Sequence, residues 1–385
     1  MKFLRRFIER RQEKWRQSRL LKPWLPLLDA VDAFLFRRAE NAREAPFFRD
    51  RIEIKRYMMM VVIALMPATV AAVYFWGWRC VLLIFVSYLF GGATEVLFSV
   101  VRKEEVNEGF LVTGILFPLT LPAATPWWVV ALGVVFGVVI GKEIFGGTGK
   151  NFFNPALVAR AFVYICFPVQ TAAAGVWEPN AATEGWPGGF AHWSSVSVEA
   201  NAVVDGVSSA TPLAARKQWA KAEAGPGKNE LKEAIPDLKP MFLGTVRGSM
   251  GETSAVLLLA GGLLLVVCRI ASWRIILATL VSGAAFSGAM HAAGLRLFAP
   301  PLYTLLAGGY MLGAFFMATD PVSAPGTKQA QWIYGILIGV AAVTIRSISG
   351  YAGGMMFAIL LANVFSPLMD YMVMRTRYRR RRVLA

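Results

Sequence analysis

Tyr57-Met58-Met59-Met60-Val61-Val62-Ile63-Ala64-Leu65-Met66-Pro67-Ala68-Thr69-Val70-Ala71-Ala72-Val73-Tyr74-Phe75-Trp76-Gly77-Trp78 runs for 22 residues without a charge. A helix rises about 1.5 Å per residue, so about 20 apolar residues cross the roughly 30 Å of a bilayer's hydrocarbon. Lys55 and Arg56 open the run, and Pro67 inside it predicts a kink. Working outward, nine further apolar runs lie at roughly 80–101, 107–122, 127–145, 154–170, 252–270, 273–293, 298–318, 331–348 and 352–372. Composition agrees: 56% of the 385 residues are hydrophobic, 17% are charged and the mean hydropathy is +0.51, outside the range of ordinary soluble domains. The expected fold is an all-α polytopic membrane protein of about ten transmembrane helices. The third and fifth runs and the loops beside them carry Pro or Gly, which predicts broken helices around an internal site, because lipid-facing backbone could not leave its polar groups unpaired.

The only long polar segment, 171–251, divides the chain into halves of five spans, 57–170 and 252–372. An odd number of spans per half makes the halves begin on opposite sides, so a 5+5 inverted repeat is expected. Residues 1–56 carry sixteen Lys/Arg against eight Asp/Glu, and the tail 373–385 adds six Arg. The positive-inside rule then places both termini in the cytoplasm and the segment 171–251 outside. Residues 1–56 mix apolar and basic residues in amphipathic helices suited to the inner membrane surface, and they hold no long apolar run that would serve as a cleavable signal. The net charge of +16 follows from these ends, which contact anionic lipid; no interleaved aromatic platform supports nucleic-acid binding.

Within the outer segment, Val204-Asp205-Gly206-Val207-Ser208-Ser209-Ala210-Thr211-Pro212-Leu213 reads as a helix start, with Thr211 as N-cap and Pro212 at the first helical position. The positive helix end at Thr211, with Arg216 and Lys217 one turn on, suits a phosphate, although simple capping explains the same residues. Glu95 sits about two turns inside the second run, where a carboxylate is a functional candidate as cation or proton ligand, or snorkels toward Arg102 and Lys103. Gly91 and Gly92 allow close approach of a helix or of a planar ligand. The loop Gly141 to Leu157 fails as a Walker A motif, because Ile144 and Asn151 stand where Gly and Ser/Thr are needed. Its Asn151 and Asn154 offer amide donors and acceptors of the kind an isoalloxazine edge requires, or cap a helix that opens at Pro155. Asp320, between Thr319 and Ser323, forms an all-oxygen set for a hard cation or an Asx turn. Asp370 closes the last span with the same ambiguity. Three scattered cysteines and two histidines exclude an iron–sulfur cluster, a zinc site and a bis-histidine haem, so any electrons that pass need an organic carrier.

The motif from Asp205 to Thr211 resembles the flavinylation motif of the family that holds NqrB, a membrane subunit of the Na+-translocating NADH:quinone reductase, and RnfD, its counterpart in the Rnf complex. Further blocks match in order, among them Glu95-Val96-Leu97-Phe98, Lys142-Glu143 with Phe145 to Gly149, Asn154-Pro155-Ala156-Leu157, Ala271 to Arg274, Met317 to Ala324 and Phe365 to Asp370. The long N-terminal segment and Glu108-Gly109-Phe110 favour the NqrB branch. The resemblance implies FMN esterified through its phosphate to Thr211, with Ser208, Ser209 and Pro212 around it. It also implies noncovalent riboflavin nearer the inner side, for which Asn151 and Asn154 are the candidates, and quinone near Gly91 and Gly92. Glu95, Asp320 and Asp370 match acidic positions tied to sodium uptake. Partners would be an outer-side flavin subunit, an NADH-oxidising subunit and a flavin transferase, in the bacterial inner membrane. The chain departs from the pattern in the two-residue turn Gly77-Trp78, the longer loop 171–204, and Ser209 where Gly is usual. Two other readings predict different chemistry: an Rnf-type electron carrier without a quinone site, and a flavin-free inverted-repeat channel or transporter.

Overall fold

The computed structural model describes residue 13 and residues 54–103, 109–171, 187–193, 212–222, 235–246, 248–252, 254–349 and 353–384. Among the described residues every regular element is a helix. The first half holds α1 (Ile54–Trp76), α2 (Arg79–Arg102), α3 (Phe110–Leu119), α4 (Trp127–Gly141) and α5 (Pro155–Cys166). After the polar segment, in which α6 (Pro212–Lys221) lies, come α7 (Ala255–Val267), α8 (Trp273–Ala292) and α9 (Pro301–Leu306). The chain then forms α10 (Tyr310–Leu312), which continues as a π-helical turn over Gly313–Met317, α11 (Lys328–Ile348) and α12 (Gly354–Leu384). Six of these helices, α1, α2, α4, α8, α11 and α12, are long and apolar enough to cross a membrane, and α3, α5 and α7 are shorter apolar helices. Phe85, Leu97, Val267, Val281 and Ile333 stand exposed on them, the outward apolar faces that lipid covers. The protein is an all-α polytopic membrane protein.

The repeat is visible in which helices touch. In the first half α2 packs on α3 and α4, and α4 on α5; in the second, α8 packs on α9 and α11, and α11 on α12. The halves meet through equivalent helices, α1 with α7 and α5 with α12. α1 and α7 run antiparallel: the Tyr57 hydroxyl donates to the Ile270 carbonyl at one end, and Gly261 lies under the Ala64 carbonyl further along. Opposite directions for equivalent helices are what inversion requires. Small residues set the close approaches, as lipid supplies no hydrophobic drive between helices. A Cβ at Gly137 on α4 would come within 2.7 Å of the Pro155 carbonyl of α5, and one at Gly339 on α11 within 2.7 Å of the Thr279 carbonyl of α8.

Breaks fall in the third, fifth and eighth spans. Past α3 the chain leaves the helix, and its freed carbonyls are satisfied from elsewhere: Leu121 accepts from the Met250 amide at 3.0 Å, Pro122 from the Thr125 hydroxyl at 2.7 Å and Ala124 from Arg79 at 2.9 Å. In the eighth span α9 stops at residues 307–309, where Gly308 has φ +60, and Arg346 Nη1 donates to the carbonyls of Thr304 (3.1 Å) and Ala307 (2.8 Å). The fifth span is interrupted as well: α5 starts at Pro155 behind the Asn154 cap, where a missing N–H costs nothing, and ends at Cys166, after which Phe167 leaves the helix and a separate helical turn follows over Pro168–Thr171. α1 continues through Pro67 as one helix. One end of the bundle carries α6, residues 187–193 and the C-terminal end of α11, and is called the outer end after the expectation from the charge pattern. The opposite end, with Lys103, Ile270 and Asp320, is called the inner end.

Candidate functional site

At the outer end the helix start expected at Pro212 is present. Ser208, Ser209 and Thr211 lie outside the described residues, so the structure locates the attachment motif through the residue that follows it. Pro212 is buried and its carbonyl accepts from the Tyr303 hydroxyl at 2.7 Å. Leu213 packs over Gly308, in the break of the eighth span, where a Cβ would meet Leu213 at 2.8 Å. Arg216 donates to the Phe298 carbonyl at 3.2 Å and lies over the rings of Tyr303 and Trp219. Lys217 donates to the carbonyls of Arg346 and Ser349, the exposed negative end of α11. Burial holds the Arg216 guanidinium below its usual pKa, partly offset by the Tyr303 ring hydroxyl, and burial together with Lys221 lowers that of Lys217. Both cations therefore dock α6 on the second half.

At the inner end a cavity of about 30 Å³ opens where the halves meet, lined by Tyr57, Val112, Asn154, Ile270, Thr319 and Asp320 among others. That volume holds a water or a cation but not an isoalloxazine, since cavities for planar ligands run to several hundred Å³. Asn154 uses its Oδ1 to cap α5 (Ala156 N–H, 3.0 Å), which leaves its amide nitrogen without a hydrogen bond among the described residues. Asn151 is buried and ties its own loop, accepting from the Gly149 amide (3.3 Å) and donating to the Phe153 carbonyl (2.8 Å). A flavin recognised by these amides would have to lie at the mouth of the cavity.

Asp320 forms the Asx turn, with Oδ2 accepting from the Ser323 hydroxyl at 2.8 Å and Oδ1 reached by the Val322 amide at 3.5 Å. Thr319 turns its hydroxyl to the Phe315 carbonyl at 2.7 Å. Asp370 accepts from the Gly326 amide (2.8 Å), the Thr327 amide (2.9 Å) and the Thr327 hydroxyl (2.6 Å), so it clamps the start of α11 from α12. The two aspartates thus hold the two ends of one turn, 320–327. Among the described residues no three His, Cys, Asp or Glu side chains form a metal site, so a cation at Asp320 would need hydroxyls and carbonyls to complete its shell.

Glu95 is buried and paired with Lys142, which follows α4; Lys142 also lies 4.0 Å from Glu143, whose carboxylate and carbonyl bind Arg102. Arg102 thus belongs to Glu143, and Glu95 does not snorkel. Gly91 packs α2 onto α4, a Cβ there meeting Val134 at 2.9 Å, whereas Gly92 is half-buried and faces the Phe110 ring at 3.5 Å. At Gly92 the Phe110 ring already lies at contact distance. Sequence reasoning missed Lys142 as the Glu95 partner and passed over Arg160 on α5 and over Glu252 and Arg346, which lie beside Gly309 and Gly308 at the break in the eighth span. The signal for the two arginines was present: each is a cation inside an apolar run, a site candidate in its own right.

The profile of the NQR2, RnfD, RnfE family matches residues 41–379. The chain is 36% identical over 427 aligned positions to the B-type subunit of the Na(+)-translocating NADH-quinone reductase of Pseudomonas paraeruginosa, covering 98% of both chains. It is 37% identical over 429 positions to the protein of the same name from Azotobacter vinelandii and 36% over 428 to that from Pseudoalteromonas atlantica, again over 98% of each chain. These alignments are longer than the 385 residues of this chain, so the relatives carry residues that it lacks. The span order, the blocks around Glu95, Asn154 and Asp320, and this end-to-end similarity agree: the chain belongs to the NQR2, RnfD, RnfE family.

Proposed function

We propose that this chain is the B-type membrane subunit of a Na+-translocating NADH:quinone reductase. The observation that carries the reading is similarity over 98% of the chain to proteins of that name. FMN esterified through its phosphate to Thr211, with riboflavin near Asn151 and Asn154, would supply electron carriage that the chain's own side chains cannot. Electrons would enter from a flavin on an outer-side partner and leave to quinone beside Gly92. The docking of α6 supports the outer site, because it fixes the residue after Thr211 against Tyr303 and the break in the eighth span. Coupling to sodium is supported by the inner cavity, since Asn154 and Asp320 line the same small space. A change of charge at the mouth would alter how strongly that space holds a cation. Lys142 neutralises Glu95 at rest, so Glu95 can serve a cation only when that pair opens.

The test is the intact mass of the denatured chain, purified from a host that supplies the flavin transferase, beside Thr211→Ala. Addition of one FMN to the wild type and none to the variant is expected. An unmodified wild-type chain, with the transferase active on another substrate, overturns the flavin assignment and favours a flavin-free transporter.

A further inference from the structure

Of the residues that line the inner cavity only Asp320 carries a charge, and its carboxylate forms no ion pair among the described residues. A carboxylate inside an apolar bundle is costly without a cation. Its oxygens are also lightly used. Oδ2 accepts from the Ser323 hydroxyl and Oδ1 is approached by the Val322 amide only at 3.5 Å, whereas a carboxylate offers about four lone pairs. Tyr57, Ile270 and Thr319 line the same cavity. Thr319 gives its hydroxyl proton to the Phe315 carbonyl at 2.7 Å, and Tyr57 gives its own to the Ile270 carbonyl. With both protons spent on backbone, the two hydroxyl oxygens and the Ile270 carbonyl have lone pairs left and no donor, which is the chemistry of cation ligands.

A space of about 30 Å³ takes one small ion or one water. One carboxylate balances one unit of positive charge, and a divalent ion would leave a net charge in the low-dielectric interior. We propose that the Tyr57 hydroxyl and the Ile270 carbonyl, held side by side by their hydrogen bond, complete with Asp320 and Thr319 the oxygen shell of one monovalent cation. The inference deepens, and rests on, the sodium-coupling reading above. Tyr57 belongs to α1 in the first half, whereas Ile270 follows α7 and Asp320 follows the π-helical turn in the second. The cation therefore ties the two halves across the α1–α7 seam. Tyr57 is the member that matters most, because loss of its hydroxyl removes one ligand and frees the carbonyl that is a second.

The test is the unfolding midpoint of the full chain in detergent, co-expressed with the transferase and titrated with sodium chloride while choline chloride keeps the ionic strength constant. A cation bound only by the folded state raises the midpoint. The wild type is expected to show a sodium-dependent rise, and Tyr57→Phe to need at least tenfold more sodium for the same rise. Thr319→Val is expected to act in the same direction and Thr319→Ser to stay near the wild type. Calcium chloride at matched ionic strength is expected to give no comparable rise. A merely structural role for Tyr57 would lower the midpoint in choline and leave the sodium titration in place, a result that overturns the proposal. A wild-type midpoint indifferent to sodium, as for a cavity that holds only water, or a rise with calcium equal to that with sodium, overturns it too. If Tyr57→Phe does not fold, Thr319→Val decides alone, an unshifted titration overturning the site. Intact mass of the same samples separates the two readings: a chain without FMN whose sodium response depends on Tyr57 sinks the flavin assignment and supports this site, and a flavinylated chain whose response does not depend on Tyr57 overturns the site alone.

Discussion

Glu95, Lys142, Glu143 and Arg102 at the inner end form a chain in which every charge faces one of opposite sign, whereas Arg160 and Arg346 form no ion pair among the described residues and keep Arg160 Nη1 and Arg346 Nε buried and unbonded. The two clusters lie in the same low-dielectric bundle, so the difference in their balance is informative. A closed, neutral cluster holds helices together: it joins α2 to the loop after α4, and nothing need be added to it. Arg346 instead spends Nη1 on the carbonyls freed at the break in the eighth span. The first cluster is framework through its balance of charge, and Arg346 is framework through the backbone it satisfies.

The sharpest way to break this contrast is to remove one member of the neutral cluster. Lys142→Met leaves Glu95 buried without its cation, and loss of one partner from a buried pair costs about 3–5 kcal/mol. Thermal unfolding in detergent should show this as a large fall in midpoint, and adding Glu95→Gln should restore a good part of it. An unchanged midpoint for Lys142→Met would show that the inner cluster is not framework. A smaller effect is expected at the seam that joins the two halves. Gly261→Ala drives a methyl into the Ala64 carbonyl of α1, and overpacking of this kind costs about 1–3 kcal/mol. The same unfolding measurement checks it, and an unaffected midpoint would mean that α1 and α7 separate freely.

How much of this was legible in the sequence follows the range of the interactions. The spans were readable because the bilayer demands runs of about 20 apolar residues whatever their neighbours do. The start of α6 was readable because Pro212 carries its signal locally. Partners were not. Local spacing offers Glu95 the cations at 102 and 103, while the bundle delivers Lys142 from the end of a helix packed alongside. The break in the eighth span escaped notice because a helix stops there only if its carbonyls find donors, and the donor is Arg346, about forty residues further along. Pro155 was readable for the same reason as Pro212: a proline breaks a helix or begins one according to whether a cap such as Asn154 precedes it, and here it begins α5.

Asp370 gives the smallest expected effect and refines the contrast, because it is an acidic candidate for sodium whose oxygens are already taken. They accept three hydrogen bonds from Gly326 and Thr327. Asp370→Asn keeps the shape and one acceptor but loses the charge that faces the positive start of α11, a loss of about 0.5–2 kcal/mol by analogy with helix caps. Asp320, by contrast, lines the inner cavity and holds only a local turn. Asp320→Asn should therefore alter the sodium dependence of quinone reduction in the assembled complex while moving the unfolding midpoint little, and Asp370→Asn should do the reverse. Should Asp370→Asn change the apparent sodium affinity with its midpoint intact, the clamp at the start of α11 would have to open during turnover, and Asp370 would join Asp320 in the cation path.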